Sequence, residues 1–63
     1  MDGTIRENIN IGQDVAVVKK EDQRTGQLTQ GVVLDILTNS ANHPHGIKVR
    51  LESGIVGRVK EIL

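Results

Sequence analysis

The chain has 63 residues, no cysteine, no Phe, Tyr or Trp, and eight Lys and Arg against eight Asp and Glu. This size points to one domain near the lower limit for a core that folds without a disulfide, metal or partner, and the missing cysteine excludes disulfides and thiolate metal sites while permitting a reducing compartment. The core must be Val, Ile and Leu; only two imidazoles could stack on a nucleobase, and zero formal net charge opposes strong indiscriminate attraction to a polyanion.

Residues 1–8 have Ile5 as their one apolar residue after Met1 and are expected to form a flexible tail, leaving 9–63 as a single small β-barrel domain. The N-terminus lacks the basic and apolar regions of a signal peptide, and no apolar run approaches the roughly 20 residues needed to span a bilayer. A cytoplasmic protein without membrane contact is expected. Ile9 and Ile11 should dock on the domain.

Asp14 to Lys20, DVAVVKK, reads as the first strand, and Glu21 to Thr29 as an exposed polar loop turning at Gly26. Gln30 to Leu37, with apolar residues on both faces, reads as a central strand of a curled sheet, and Gly31 offers the bend or bulge that curling needs. Thr38 to Gly46, TNSANHPHG, is a loop holding both histidines and the one proline.

Ile47 to Glu52 alternates Ile47, Val49 and Leu51 against Lys48, Arg50 and Glu52, the pattern of an antiparallel strand with one solvated face. Ser53-Gly54 reads as a two-residue hairpin turn into Ile55 to Val59. In that register Arg58 would face the core, so a bulge near Gly57 is expected to return Val59 to the inside. Lys60 to Leu63 is expected to be a short strand or one helical turn, with Ile62 and Leu63 packed. Four to five short strands without a helix make an all-β fold, most economically closed as a small SH3-like antiparallel barrel, because closure removes exposed edges. Gly31, Val33 and Ile36 also resemble the short glycine-then-apolar KOW pattern of such barrels.

Taken together, EDQRTG (Glu21 to Gly26), LTQG (Leu28 to Gly31), DILTNS (Asp35 to Ser40), HPHGIKVRLESG (His43 to Gly54) and VGRVKEIL (Val56 to Leu63) closely resemble the YwbE family of small bacterial proteins. The chain departs from that pattern at Gln30, where a basic residue is common, and at Ser53, where Asp is common. The resemblance implies a cytoplasmic protein and no activity whose catalytic residues could be carried over.

His43 and His45 could offer two nitrogens to a metal, with Asp35 or Glu52 completing the set, but zinc usually takes three or four protein ligands. The preferred reading has one imidazole donating to a loop carbonyl, the other exposed and Pro44 stiffening the turn; no metal or cofactor is expected. Thr38, Asn39, Ser40 and Asn42 are expected to shape the loop, since such side chains bond neighbouring backbone, and Gly46 is expected to belong to the loop structure as well. Ser40 with a histidine could be drawn as a catalytic pair, yet so small a barrel offers little concavity, and no enzyme is expected.

Charge is uneven. Residues 1–37 carry four cations against six carboxylates, whereas 38–63 carry Lys48, Arg50, Arg58 and Lys60 against Glu52 and Glu61. Lys48, Arg50 and Arg58 on adjacent strands, Lys60 at their end, Arg24 in the long loop and His43 and His45 at the rim form a candidate nucleic-acid surface suited to phosphate and sugar contacts. The same residues also fit an ordinary solvated face. The expected function is a non-enzymatic module binding RNA or a ribonucleoprotein; the alternative is a protein-interaction or self-associating module, as a monomer or weak homodimer.

Overall fold

Strands form where the runs of Val, Ile and Leu predict them. The computed structural model describes residues 3–63 and has strands β1 (Asp14–Val18), β2 (Thr29–Ile36), β3 (Lys48–Leu51) and β4 (Val56–Ile62). β1 pairs antiparallel with both β2 and β4, and β3 pairs with β2 and β4, so the four strands close into a barrel. The fold is the small all-β antiparallel barrel expected. Helical structure among the described residues is limited to 3-10 turns at Arg6–Asn8 and Lys20–Asp22, neither long enough to cross a membrane.

The interior is wholly aliphatic. Ile9, Val15, Val17, Val33, Ile47, Val49, Leu51 and Val59 form the buried cluster, with Ile36, Ile55 and Ile62 packed against it. β3 keeps the predicted alternation, Val49 and Leu51 inside and Lys48 and Arg50 outside. Ile9 docks as expected, but Ile11 is 67% exposed and Leu63 58%, so neither contributes the burial assigned to it.

Two bulges reconcile the sequence with the barrel, and neither lies at Gly31 or Gly57. Val33 and Ile36 are three apart, a spacing that sends side chains to opposite faces of a regular strand. Leu34 is the extra residue between the pairs Val33 with Leu51 and Asp35 with Arg50, which turns both Val33 and Ile36 inward. β4 repeats the device: Val17 pairs with Val59 and Ala16 with Glu61, so Lys60 bulges and both Val59 and Ile62 reach the core. Residues 60–62 thereby continue β4.

The β3–β4 hairpin corrects the expected turn. Leu51 N–H donates to the Ile55 carbonyl at 2.7 Å, and Arg50 pairs with Val56, Val49 with Gly57 and Lys48 with Arg58. The loop is therefore Glu52-Ser53-Gly54, with Gly54 at φ +92°, the three-residue form that carries its extra residue in the turn. Arg58 is kept out of the core there, without a bulge at Gly57.

The segment read as a flexible tail is paired from Gly3 onward, while Met1 and Asp2 lie outside the described residues. Ile47 N–H donates to the Gly3 carbonyl (2.7 Å), His43 N–H to Thr4 (2.9 Å) and Arg6 N–H to Ala41 (2.8 Å), and Ile5 bridges Asn42. Few side chains here are apolar because the backbone makes the contacts. A chain lacking residues 1–5 should melt at a lower temperature and exchange the His43 and Ile47 amides faster in hydrogen-exchange NMR; unchanged protection at both would refute this role.

Gly46 is held at φ +102°, and a Cβ there would fall against the Val59 carbonyl. At Gly54 a Cβ would meet nothing within 4 Å. Gly54→Ala should therefore cost only the backbone term, about 1–2 kcal/mol. Gly46→Ala adds a steric clash and should take most of the stability of a chain this size, about 3–9 kcal/mol in total. Urea unfolding of the two variants checks the order.

Candidate functional site

The loop at residues 38–46 is anchored on both sides. Thr38 Oγ1 accepts the Lys48 N–H at 2.8 Å, and its carbonyl accepts Arg6 Nε at 2.9 Å. Thr38 thus shapes the loop as its residue type suggests, whereas Asn39 and Ser40 are exposed. At the far end Gly46 N–H donates to the His43 carbonyl at 3.0 Å, closing a turn around Pro44.

That turn holds two cations of β4. Arg58 Nη1 donates to the Gly46 carbonyl at 3.1 Å and Lys60 Nζ to the His45 carbonyl at 2.9 Å. Lys60 reaches the turn as the bulged residue of β4, and Arg58, half-buried, pairs with Lys48 on β3 and Val18 on β1. Carbonyl bonds limit the rotamers of both long side chains, so less entropy remains to be lost when a ligand orders them.

Two clefts meet at Arg58. One, about 570 Å³, has Arg58, Lys60 and His45 on one side and Gln23, Gly26 and Leu28 of the β1–β2 loop on the other. The second, about 480 Å³, adds Lys20 and Lys48 to Arg58, and Val18 and Gln23 line both. Among the described residues no carboxylate lines either cleft. On a chain of zero formal charge, Lys20, Lys48, Arg58 and Lys60 are gathered there with no described carboxylate in the lining.

The sequence-derived surface is partly assembled. Lys48, Arg58, Lys60 and His45 come together, while Arg24 is exposed and lines neither cleft. Arg50 lies outside them too, its Nη1 paired with Asp35 at 3.4 Å between half-exposed side chains. Such a pair adds little stability, but it occupies the guanidinium. Lys20 and Gln23 were missed because a strand ending in Lys19-Lys20 does not show where its loop folds back.

His43 stands behind this surface. Its Nδ1 accepts the His45 N–H at 3.2 Å, which requires that nitrogen to be unprotonated. The two rings are 5.8 Å apart between centroids and tilted by 49°. No group of three His, Cys, Asp or Glu side chains among the described residues could complete a metal site around them. Desolvation first, then the Arg58 charge and then His45, pushes the His43 pKa below its ordinary value. Neutral His43 is thus the form the fold favours, and the unfolded chain binds the proton more readily. Stability should fall as pH drops from the ordinary imidazole value, about 6.5, to the lower folded value, and be level below it with respect to this group. An NMR titration of the imidazole protons should place the His43 midpoint below about 6.5, and Arg58→Gln should raise it. A midpoint unmoved by that substitution would remove Arg58 as a cause.

Comparison with known proteins bears on the whole chain. The family described as "Uncharacterized conserved protein (DUF2196)" matches residues 2–62. The chain is 56% identical over 63 residues to "Uncharacterized protein YwbE" of Bacillus subtilis (strain 168), covering 100% of this chain and 97% of that protein. No solved structure matches it.

Proposed function

The chain belongs to the YwbE family of conserved proteins (DUF2196), and we propose that it is a non-enzymatic RNA-binding module that holds phosphates in the two clefts beside Arg58. The observation that carries this reading is the gathering of four cations from three parts of a neutral chain around two adjoining clefts, with no carboxylate in the lining among the described residues. Lysine supplies mobile point charges to phosphate. Arginine adds a planar fork, and of its five N–H donors Arg58 gives one to Gly46. One phosphate does not need four cations in adjoining clefts; a polyphosphodiester does.

Hydrolytic chemistry finds no support in the same lining, which among the described residues has His45 but no Ser, Thr, Asp or Glu for it to activate. One form of the rival protein-interaction reading, a partner adding a strand to an open sheet edge, is disfavoured because barrel closure gives each of the four strands two neighbours.

Titrating labelled protein with a mixed-sequence RNA at low salt should shift Lys20, Gln23, His45, Lys48, Arg58 and Lys60, with smaller changes at Arg24 and Arg50. Raising the salt should reverse the shifts. The Lys48→Glu, Lys60→Glu double variant should lose at least tenfold in affinity yet stay folded, since both side chains are exposed and the change removes one exposed bond, from Lys60 to the His45 carbonyl. Unchanged affinity in that variant would defeat the proposal.

A further inference from the structure

We infer that the RNA bound here is a single strand running past Arg58 through both clefts, held by its sugar-phosphate backbone and not read by sequence. This rests on the RNA-binding reading and narrows it to one ligand class. Three observations carry it.

The first is the division of charge. Arg58, Val18 and Gln23 are common to both clefts, but Lys20 and Lys48 belong to one and His45 and Lys60 to the other. A mononucleotide or free phosphate in either cleft would leave the cations of the other unused. Arg58, held from behind by the Gly46 carbonyl, stands between the two sets as a fixed point that successive phosphates would pass.

Shape is the second. The cations sit in recesses walled by Gln23 of the β1–β2 loop and, in one cleft, by Gly26 and Leu28. A flexible strand can enter such recesses. A duplex offers stiff outer rows of phosphate and would rest on the rims, and the whole barrel measures only 27 × 24 × 19 Å.

The third is what the walls lack. No Phe, Tyr or Trp exists in the chain to grip a base face; the lining offers the small His45 imidazole, and Val18 with the 48% exposed Leu28 gives only a small apolar wall for a sugar or base. Affinity must come mainly from phosphate, with little dependence on base identity.

The test compares a ten-residue oligouridylate, an oligocytidylate of equal length and a duplex RNA of ten base pairs by fluorescence anisotropy across a salt series, using the full chain. The two single strands should bind within about threefold of each other and at least tenfold more tightly than the duplex. Four phosphates neutralised on a single strand give a slope of log K against log salt of about −2.8, at about 0.7 per phosphate. Lys60→Gln should reduce its magnitude by about 0.7, and Lys20→Gln with Lys48→Gln by about 1.4. All three side chains are exposed, so these variants should fold. Duplex bound as tightly as single strand overturns the inference, as does an unchanged slope in either variant, which would confine the ligand to one cleft. Binding of no RNA at low salt overturns the inference together with the RNA-binding reading beneath it.

Discussion

Pairing of β1 with β4 is the contact on which the rest of the molecule depends. A chain of 63 residues without an aromatic side chain has only Val, Ile and Leu with which to offset the entropy of ordering, so an open sheet would leave too much of that surface wet. Closure sets Val17 against Val59 and converts a curled ribbon into an interior with walls on every side. Val59 is the node: its side chain is fully buried, and its carbonyl is the atom against which the backbones of Gly3 and Gly46 rest.

Closure also arranges the charges. The strap at Gly3 to Asn8 fixes the loop at residues 38–46; the loop's last carbonyls fix Arg58 and Lys60; those cations join Lys48 from the neighbouring strand and Lys20 from the 3-10 turn that follows β1. Zero net charge here is an average over two unlike surfaces. Asp35 is engaged with Arg50 and Asp22 with Lys19, and neither carboxylate lines the recesses around Arg58.

How much of this could be read beforehand depended on whether the information was local. The Val-rich run at residues 14–18 and the strict alternation of β3 announced strands, and the HPHGIKVRL block was distinctive enough to identify the family. The hairpin was ambiguous, because Ser53-Gly54 suits a two-residue turn and Gly54 equally suits a three-residue one. The structure resolves the cost of burying Arg58 in the turn itself, whereas the sequence reading placed the remedy at Gly57. The strap was invisible, because its bonds to residues 41–47 are made by backbone groups that every residue possesses. For the site, the basic face was legible as a set of cations. Its actual membership was not: Arg50 is drawn to Asp35 by the register shift at Leu34, and loop folding brings in Lys20 and Gln23 instead of Arg24.

The ring of strands has a consequence for how the molecule is made. Val15 pairs with Ile62, and the Leu63 N–H donates to the Asp14 carbonyl, so the barrel is sealed by the last residues of the sequence acting on a strand near its beginning. During synthesis from the N-terminus, β1 to β3 can form at most an open sheet with one side of β1 unpaired. Contacts between such distant parts of a chain form slowly, and exposed strand edges are prone to join those of other chains. The closed barrel thus becomes reachable only after β4 has cleared the ribosome, and the interval before that is when the unpaired edge of β1 is most exposed to aggregation.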